Sequence, residues 1–215
     1  RLRAGSSVRP APNTRYQPVL QGNADALLQG HARPVVVGAG PCGYFAALLL
    51  AQMGLRPLLL ERGEPVKQRT LQTFGFWKGT KPFDPNSNAQ FGEGGAGTFS
   101  DGKLYSQVSD PERYGRKVLE ELVASGATPE ILTVHRPHIG TFKLATVVRG
   151  LRSRIESLGG EVRFGSRVDE LVLEHCSEGK PNQLVAVRLK DGEQIACRHL
   201  VLAPGHSARD CFAML

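Results

Sequence analysis

The chain has 215 residues, 40% of them hydrophobic and 22% charged, with a formal net charge of +7. That length accommodates one domain and part of another around a real core, and the composition is globular rather than disordered or collagenous. No apolar run reaches the roughly 18 to 20 residues that a membrane span needs, so a soluble protein is expected.

The chain opens with Arg1, and residues 1–18 are rich in Arg, Ser and Pro with little to bury. They read as a linker within an N-terminal segment, 1–32, of a fragment cut from a longer chain; an organelle-targeting peptide is less favoured because no apolar helical face is present. Arg1, Arg3, Arg9 and Arg15 carry four of the positive charges, and no run of five basic residues follows. The excess therefore reads as a solvated basic surface, with nucleic acid a permitted but less favoured partner. The four cysteines, Cys42, Cys176, Cys197 and Cys211, lack both CxxC spacing and the density of a disulfide scaffold, which suits a reducing cytoplasm.

At Arg33 the texture changes to a βαβ pattern. Residues 35–37 are a continuous β-branched run, as in a parallel strand buried on both faces. A helix should follow from Pro41 to Met53, with Pro41 in its first turn and Gly54 as its stop, and then a second strand over 58–60. Residues 64–106 show little periodicity and many Gly, Pro, Asn and Phe residues, the texture of a functional loop. A helix is expected over 111–125, with Asp110 as N-cap, Pro111 at its first position and Gly126 beyond its end. It would begin part of a second, cap or substrate, subdomain over 110–140. Leu144, Val147, Val148, Leu151 and Ile155 predict an amphipathic helix over 141–158. Strands are then expected over 161–164, 167–174, 184–189 and 194–203, with Asp191-Gly192 as a hairpin turn.

The fold class is accordingly α/β: a Rossmann-like FAD/NAD(P)-binding domain with a parallel sheet and an antiparallel β-meander, plus part of a second subdomain. The binding domain would run over 33–109 and resume over 141–215.

Three features carry chemistry. Gly38-Ala39-Gly40-Pro41-Cys42-Gly43 matches GxGxxG between a strand and a helix. Gly38 permits the turn, Gly40 lets the backbone approach a pyrophosphate at the helix N-terminus, and Gly43 allows close helix–strand packing. Glu61 ends the second strand 18 residues beyond Gly43 (61 − 43), where a carboxylate accepts ribose hydroxyls and repels a 2′-phosphate. This favours FAD or NAD over NADP. Finally, residues 88–104 hold five glycines; consecutive N–H groups there could form an anion nest, with Thr98, Ser100 and Lys103 as added donors.

The segments GAGPCG, LLLERG, SNAQFGEGGAGTFSDGKL, RPHIGT and LVLAPGHSARD, in this order, resemble a largely uncharacterised family of bacterial FAD-dependent dehydrogenases. The Glu-Arg-Gly ending also resembles glutathione-reductase-type flavoproteins. The resemblance covers residues 33–215. It implies FAD as cofactor, with NADH or NADPH as an electron donor. Gly38, Gly40, Pro41, Cys42, Gly43, Glu61 and Arg62 would hold the adenosine diphosphate. Gly94, Gly95, Ala96, Gly97 and Thr98 would run along the pyrophosphate towards the flavin, Val168 would meet the adenine through its backbone, and Ala203 and Gly205 would close this half of the domain. Pro204 departs from the family's usual Thr, and the sequence contains no later Gly-Asp motif to hold the flavin from the C-terminal side, so an incomplete flavin site is expected.

Candidates for proton transfer are His138, His206, Asp101 and Lys103, all in loops beside expected elements. Cys42 sits where a small side chain is needed in any case. His31, His135, His175 and His199 show no metal spacing with the cysteines, so no metal site is expected. Three functions fit: an FAD-dependent oxidoreductase of unknown small-molecule substrate, a flavin-dependent nucleic-acid (tRNA) modification enzyme, and a non-catalytic FAD- or NAD-binding module. Oligomeric state is not legible.

Overall fold

The computed structural model describes residues 11, 13–19, 28, 32–174 and 181–215. Most of the expected linker, together with His31, His175 and Cys176, lies outside these residues.

Strands β1 (Val35–Val37), β2 (Leu58–Leu60), β3 (Glu161–Arg163) and β7 (Leu200–Leu202) form a parallel sheet in the order β3-β2-β1-β7. Val36 is in register with Leu59 on one side and with Val201 on the other. Successive side chains of a strand point to opposite faces, and here both faces are covered. On one face, Val36 and Leu59 pack with Tyr44 and Leu48 of α1 (Pro41–Gln52) and with Val147, Leu151 and Ile155 of α4 (Thr141–Ser157). On the other, Val35, Val37, Leu58 and Leu60 pack with Val168, Val187, Leu189 and Cys197. These last belong to, or adjoin, an antiparallel sheet of β4 (Val168–Glu174), β5 (Gln183–Leu189) and β6 (Gln194–Ala196). The layers are therefore helices, parallel sheet and meander. Burial of each such aliphatic side chain contributes roughly 1.5–3 kcal/mol, which accounts for why these short strands hold.

The Asp191-Gly192 turn forms as expected: Gly192 takes φ +95° and the Glu193 amide donates to the Asp191 carboxylate at 3.0 Å. Helix α3 (Tyr114–Ala124) starts three residues later than the sequence suggests. Arg113 is left-handed at φ +59°, so the chain turns once before the helix begins, and Asp110 caps it from a distance by accepting the amides of Tyr114 and Gly115 at 2.9 and 2.8 Å. Leu122, Ala127 and Ile131 join the same core as α1 and α4.

Three further expectations are corrected. The stretch 64–106 contains a full helix, α2 (Val66–Trp77), whose inward face is Val66, Arg69 and Thr73. An inward arginine and threonine break the apolar stripe that announces a helix. The single strand expected over 194–203 is two strands in different sheets, β6 paired to β5 and β7 paired to β1, separated by residues 197–199. A last helix, α5 (Arg209–Met214), follows β7, where a loop was expected.

Candidate cofactor site

The site begins at the end of β1. Gly38 takes φ +102°, and a Cβ there would fall 2.3 Å from the Ala203 carbonyl oxygen; a Cβ on Gly43 would fall 1.7 Å from the Gly38 oxygen. Both glycines are required by the protein's own packing. Gly40 is different: its φ is −76°, and the nearest atom to an added Cβ is Gly95 Cα at 3.9 Å. Nothing among the described residues demands glycine there, whereas a ligand against the N-terminus of α1 would. That N-terminus has no side-chain cap, so the first-turn N–H groups and the positive end of the helix dipole are available to an anion.

The glycine-rich loop is fastened beside this terminus. Gly94 donates its amide to the Ala39 carbonyl at 2.8 Å, and residues 96–99 coil into one 3-10 turn. Arg69, fully buried on α2, directs the loop from behind. Its guanidinium donates to the carbonyls of Asn88 (2.7 Å), Ala89 (3.0 Å), Glu93 (2.7 Å), Gly95 (2.8 Å) and Gly92 (3.3 Å), and stacks 4.9 Å from the Phe99 ring centre. Burial lowers its pKa to about 10, against the raising influence of Glu61 and Glu93, so it remains charged at neutral pH. Glu93, equally buried, accepts the Tyr44 hydroxyl at 2.9 Å and the Val66 amide at 2.6 Å, with Arg152 at 3.5 Å. Burial, then the charge of Glu93, pushes the Tyr44 phenol well above its ordinary value.

Glu61 joins the two loops. One carboxylate oxygen accepts the Ala39 amide at 2.7 Å, and the other accepts Gly63 and Gly92, both at 2.9 Å. Next to it, Arg62 forms a two-pronged pair with Asp210 of α5 at 2.8 and 3.0 Å, touches Cys211 Sγ at 3.2 Å and covers the Phe91 ring at 4.5 Å. The Arg62 hydrogen bond holds the Asp210 carboxyl below its usual range, and burial pushes the Cys211 thiol up.

Together these segments enclose a cavity of about 610 Å³, within the range of small-molecule sites. Gly38, Gly40, Pro41 and Cys42 line one side, Gly95, Ala96 and Gly97 another, and Ala203 and Gly205 the floor at the end of β7. Glu61, Arg62 and Val168 line the end beneath the meander. Gly43 lies behind the wall, against Gly38. Gly94 and Thr98 do not reach the cavity: a Cβ on Gly94 would meet Thr98 Oγ1 and Val148, and the Thr98 hydroxyl donates inward to the Glu93 carbonyl.

Of the proton-transfer candidates, only His206 lines the cavity, with its ring 3.4 Å from Ser207 Oγ. Lys103 and Asp101 form an exposed ion pair at 3.1 Å, and Lys103 bridges to exposed His138 through the backbone. That group stands apart from the cavity lining.

Sequence reasoning missed Gln90, Phe91, Ser166 and Arg167 in the lining, and Arg69 and Glu93 behind it. Phe91 and Gly92 stood inside the motif that was singled out, but nothing in the sequence marks an arginine 19 residues before Asn88 as the loop's anchor. Among the described residues no cluster of His, Cys, Asp and Glu could hold a metal ion, and no helix is long and apolar enough to cross a membrane.

Residues 32–214 match the family described as pyridine nucleotide-disulphide oxidoreductase. The chain belongs to that family. A curated relative from Clostridium beijerinckii, described as an uncharacterized protein, is 46% identical over 184 residues, covering 86% of this chain and 33% of its own length. The chain thus spans about a third of that relative. Among solved structures, Thermovibrio ammonificans THI4 superposes with a TM-score of 0.54 at 18% identity, over 85% of this chain and 62% of that one. The 3-ketosteroid-delta4-(5alpha)-dehydrogenase of Rhodococcus jostii RHA1 gives 0.47 at 17%, over 86% and 49%. At such identities the first likeness establishes the α/β, Rossmann-like fold alone.

Proposed function

We propose that the cavity binds FAD and that this chain is the flavin-holding part of a dehydrogenase-like oxidoreductase, reduced by NADH or NADPH. The observation that carries the reading is the uncapped N-terminus of α1 at Gly40, which lines the cavity together with the Gly95–Gly97 backbone packed beside it. That is an anion site with no side chain of its own to fill it, suited to a pyrophosphate.

The other lining residues fit the rest of the molecule. A carboxylate offers about four lone-pair positions, and Glu61 uses three of them on backbone amides; the fourth would accept a ribose hydroxyl. The buried Val168 and the Arg62–Phe91 stack would face the adenine. Bound there, FAD supplies a redox centre that takes or gives a hydride. His206 is the better placed of the candidates for moving a proton beside it, since His138, Asp101 and Lys103 are not in the lining. The two arginines of the lining, Arg62 and Arg167, are both neutralised by neighbouring carboxylates, Asp210 and Asp169. That supports a small-molecule site over a nucleic-acid one. Cys42, Cys197 and Cys211 are free thiols, in keeping with a reducing cytoplasm. Residues 110–140 would begin a cap over the substrate.

The test is an anaerobic titration of the FAD-loaded protein with NADH and with NADPH, followed by visible absorbance. Bleaching of the flavin bands by either supports the reading and names the donor. Flavin that binds but is reduced by neither removes the nicotinamide step and favours a binding module.

A further inference from the structure

A second cavity, of about 440 Å³, lies on the far side of Phe91. It shares Gln90 and Phe91 with the cofactor cavity, and its other walls come from the C-terminal half of α2 and from residues 82–89. Its lining is unlike that of its neighbour. Phe76, Trp77 and Phe83 supply aromatic walls, with Pro82 and Pro85 between them. The rings of Phe76 and Phe83 are 5.3 Å apart, and Trp77 sits at 5.3 Å from Phe74 and 5.8 Å from Phe99. All three wall rings remain between 43% and 56% exposed, and together they form an apolar patch of the kind that marks binding surfaces.

Two polar atoms in residues of this lining have no hydrogen-bond partner, and both are closed off from the cavity itself. Thr73, 3% exposed, makes no hydrogen bond through Oγ1, and Gln72 Oε1 is likewise buried and unbonded. Thr70, one turn earlier, shows the usual alternative by donating to the Val66 carbonyl at 2.6 Å. Buried polar atoms without partners are costly and uncommon in native proteins. Here both lie in residues that line one cavity. Asp84 is the one charged side chain among the described lining residues; one of its oxygens accepts the Asn86 amide at 2.8 Å.

We propose that this cavity is a ligand site for a small planar aromatic molecule of neutral or positive charge. The aromatic walls favour a flat ring and a cation, and Asp84, with no basic residue beside it among the described lining residues, disfavours anions. Phosphate-bearing nucleotides, which suit the first cavity, are excluded from this one. The inference does not depend on FAD binding, since the two cavities share only Gln90 and Phe91.

Trp77 is the sole tryptophan of the chain, so its fluorescence reports on the site directly. Benzamidine, benzamide and benzoate have nearly the same shape and differ in charge, and each is titrated into the purified protein with excitation at about 295 nm, where Trp77 alone absorbs appreciably. The expected order of affinity is benzamidine, then benzamide, with benzoate at least about tenfold weaker. Asp84→Asn should bring benzamidine to the level of benzamide, and Phe83→Ala should weaken both by about tenfold. Circular dichroism checks that the variants fold; if Phe83→Ala does not, Phe76→Ala replaces it with the same expected loss. A saturable Trp77 response in that order supports the site. No saturable response to any of the three, or benzoate bound as well as benzamidine, overturns it, and neither result touches the FAD reading.

Discussion

The Glu61 carboxylate accepts the Gly92 backbone amide at 2.9 Å, fastening the end of β2 to a loop 31 residues further along the chain. With its bonds to Ala39 and Gly63, this one side chain sets the spacing between the two glycine motifs. Glu61→Gln replaces one acceptor oxygen with an NH2 group facing amide donors. The expected cost is about 2–3 kcal/mol of stability, the range for losing charged hydrogen bonds and stranding a buried donor. Urea unfolding of the parent and the variant measures it, and an unchanged midpoint would remove Glu61 from the architecture of the site.

Arg69 plays the matching part behind the loop. Arg69→Lys keeps the charge but cannot span five carbonyls with three donors from one nitrogen. Stability should fall by about 2–4 kcal/mol, and amide hydrogen exchange over residues 88–99 should accelerate more than exchange in the parallel sheet. Uniform acceleration would mean that Arg69 supports the whole core rather than this loop.

The Arg62–Asp210 pair makes the docking of α5 depend on pH. The Arg62 hydrogen bond depresses the Asp210 pKa in the folded state, so the pair stabilises the fold above the unfolded aspartate value of about 3.9. That contribution is lost as pH falls through the lower folded value. Asp210→Asn should therefore lower stability modestly near neutrality, as befits a partly exposed pair, and converge on the parent below about pH 4, which flattens the variant's acid limb. Thermal unfolding across pH 3 to 7 tests it; parallel acid limbs would assign acid sensitivity to other carboxylates.

The parts of the fold with simple periodicity were legible in the sequence. The β1–α1–β2 unit could be read because Val35–Val37 and Leu58–Leu60 are unbroken apolar triplets around a glycine turn, and the meander because Asp191-Gly192 marks its hairpin. Helix α2 could not, because its buried face carries Arg69 and Thr73 in place of aliphatic residues. The division of residues 194–203 between two sheets was hidden as well. Local alternation is the same for a strand in either sheet, and only the pairing of Leu200–Leu202 with β1 separates them. In the site, Gly38, Gly40, Gly95, Gly97 and Gly205 were named from the sequence and line the cavity, Gly92 lines it and was not named, and the motif does not distinguish Gly95 from Gly94. One faces the cavity and the other packs on Val148, a difference that depends on the turn at residues 96–99.

The most direct test of the cofactor assignment is an FAD titration, by calorimetry, of the parent and of Gly40→Ala. An added methyl at Gly40 meets no protein atom closer than 3.9 Å and suits its backbone conformation, so the variant should unfold within about 1 kcal/mol of the parent. On the proposed reading, a pyrophosphate at the N-terminus of α1 would approach the backbone at Gly40, where that methyl would stand in its way. The parent should bind one FAD per chain, and Gly40→Ala, equally folded, should bind it at least about a hundredfold more weakly. A parent that binds no FAD, or a variant that binds it as tightly as the parent, would contradict the account.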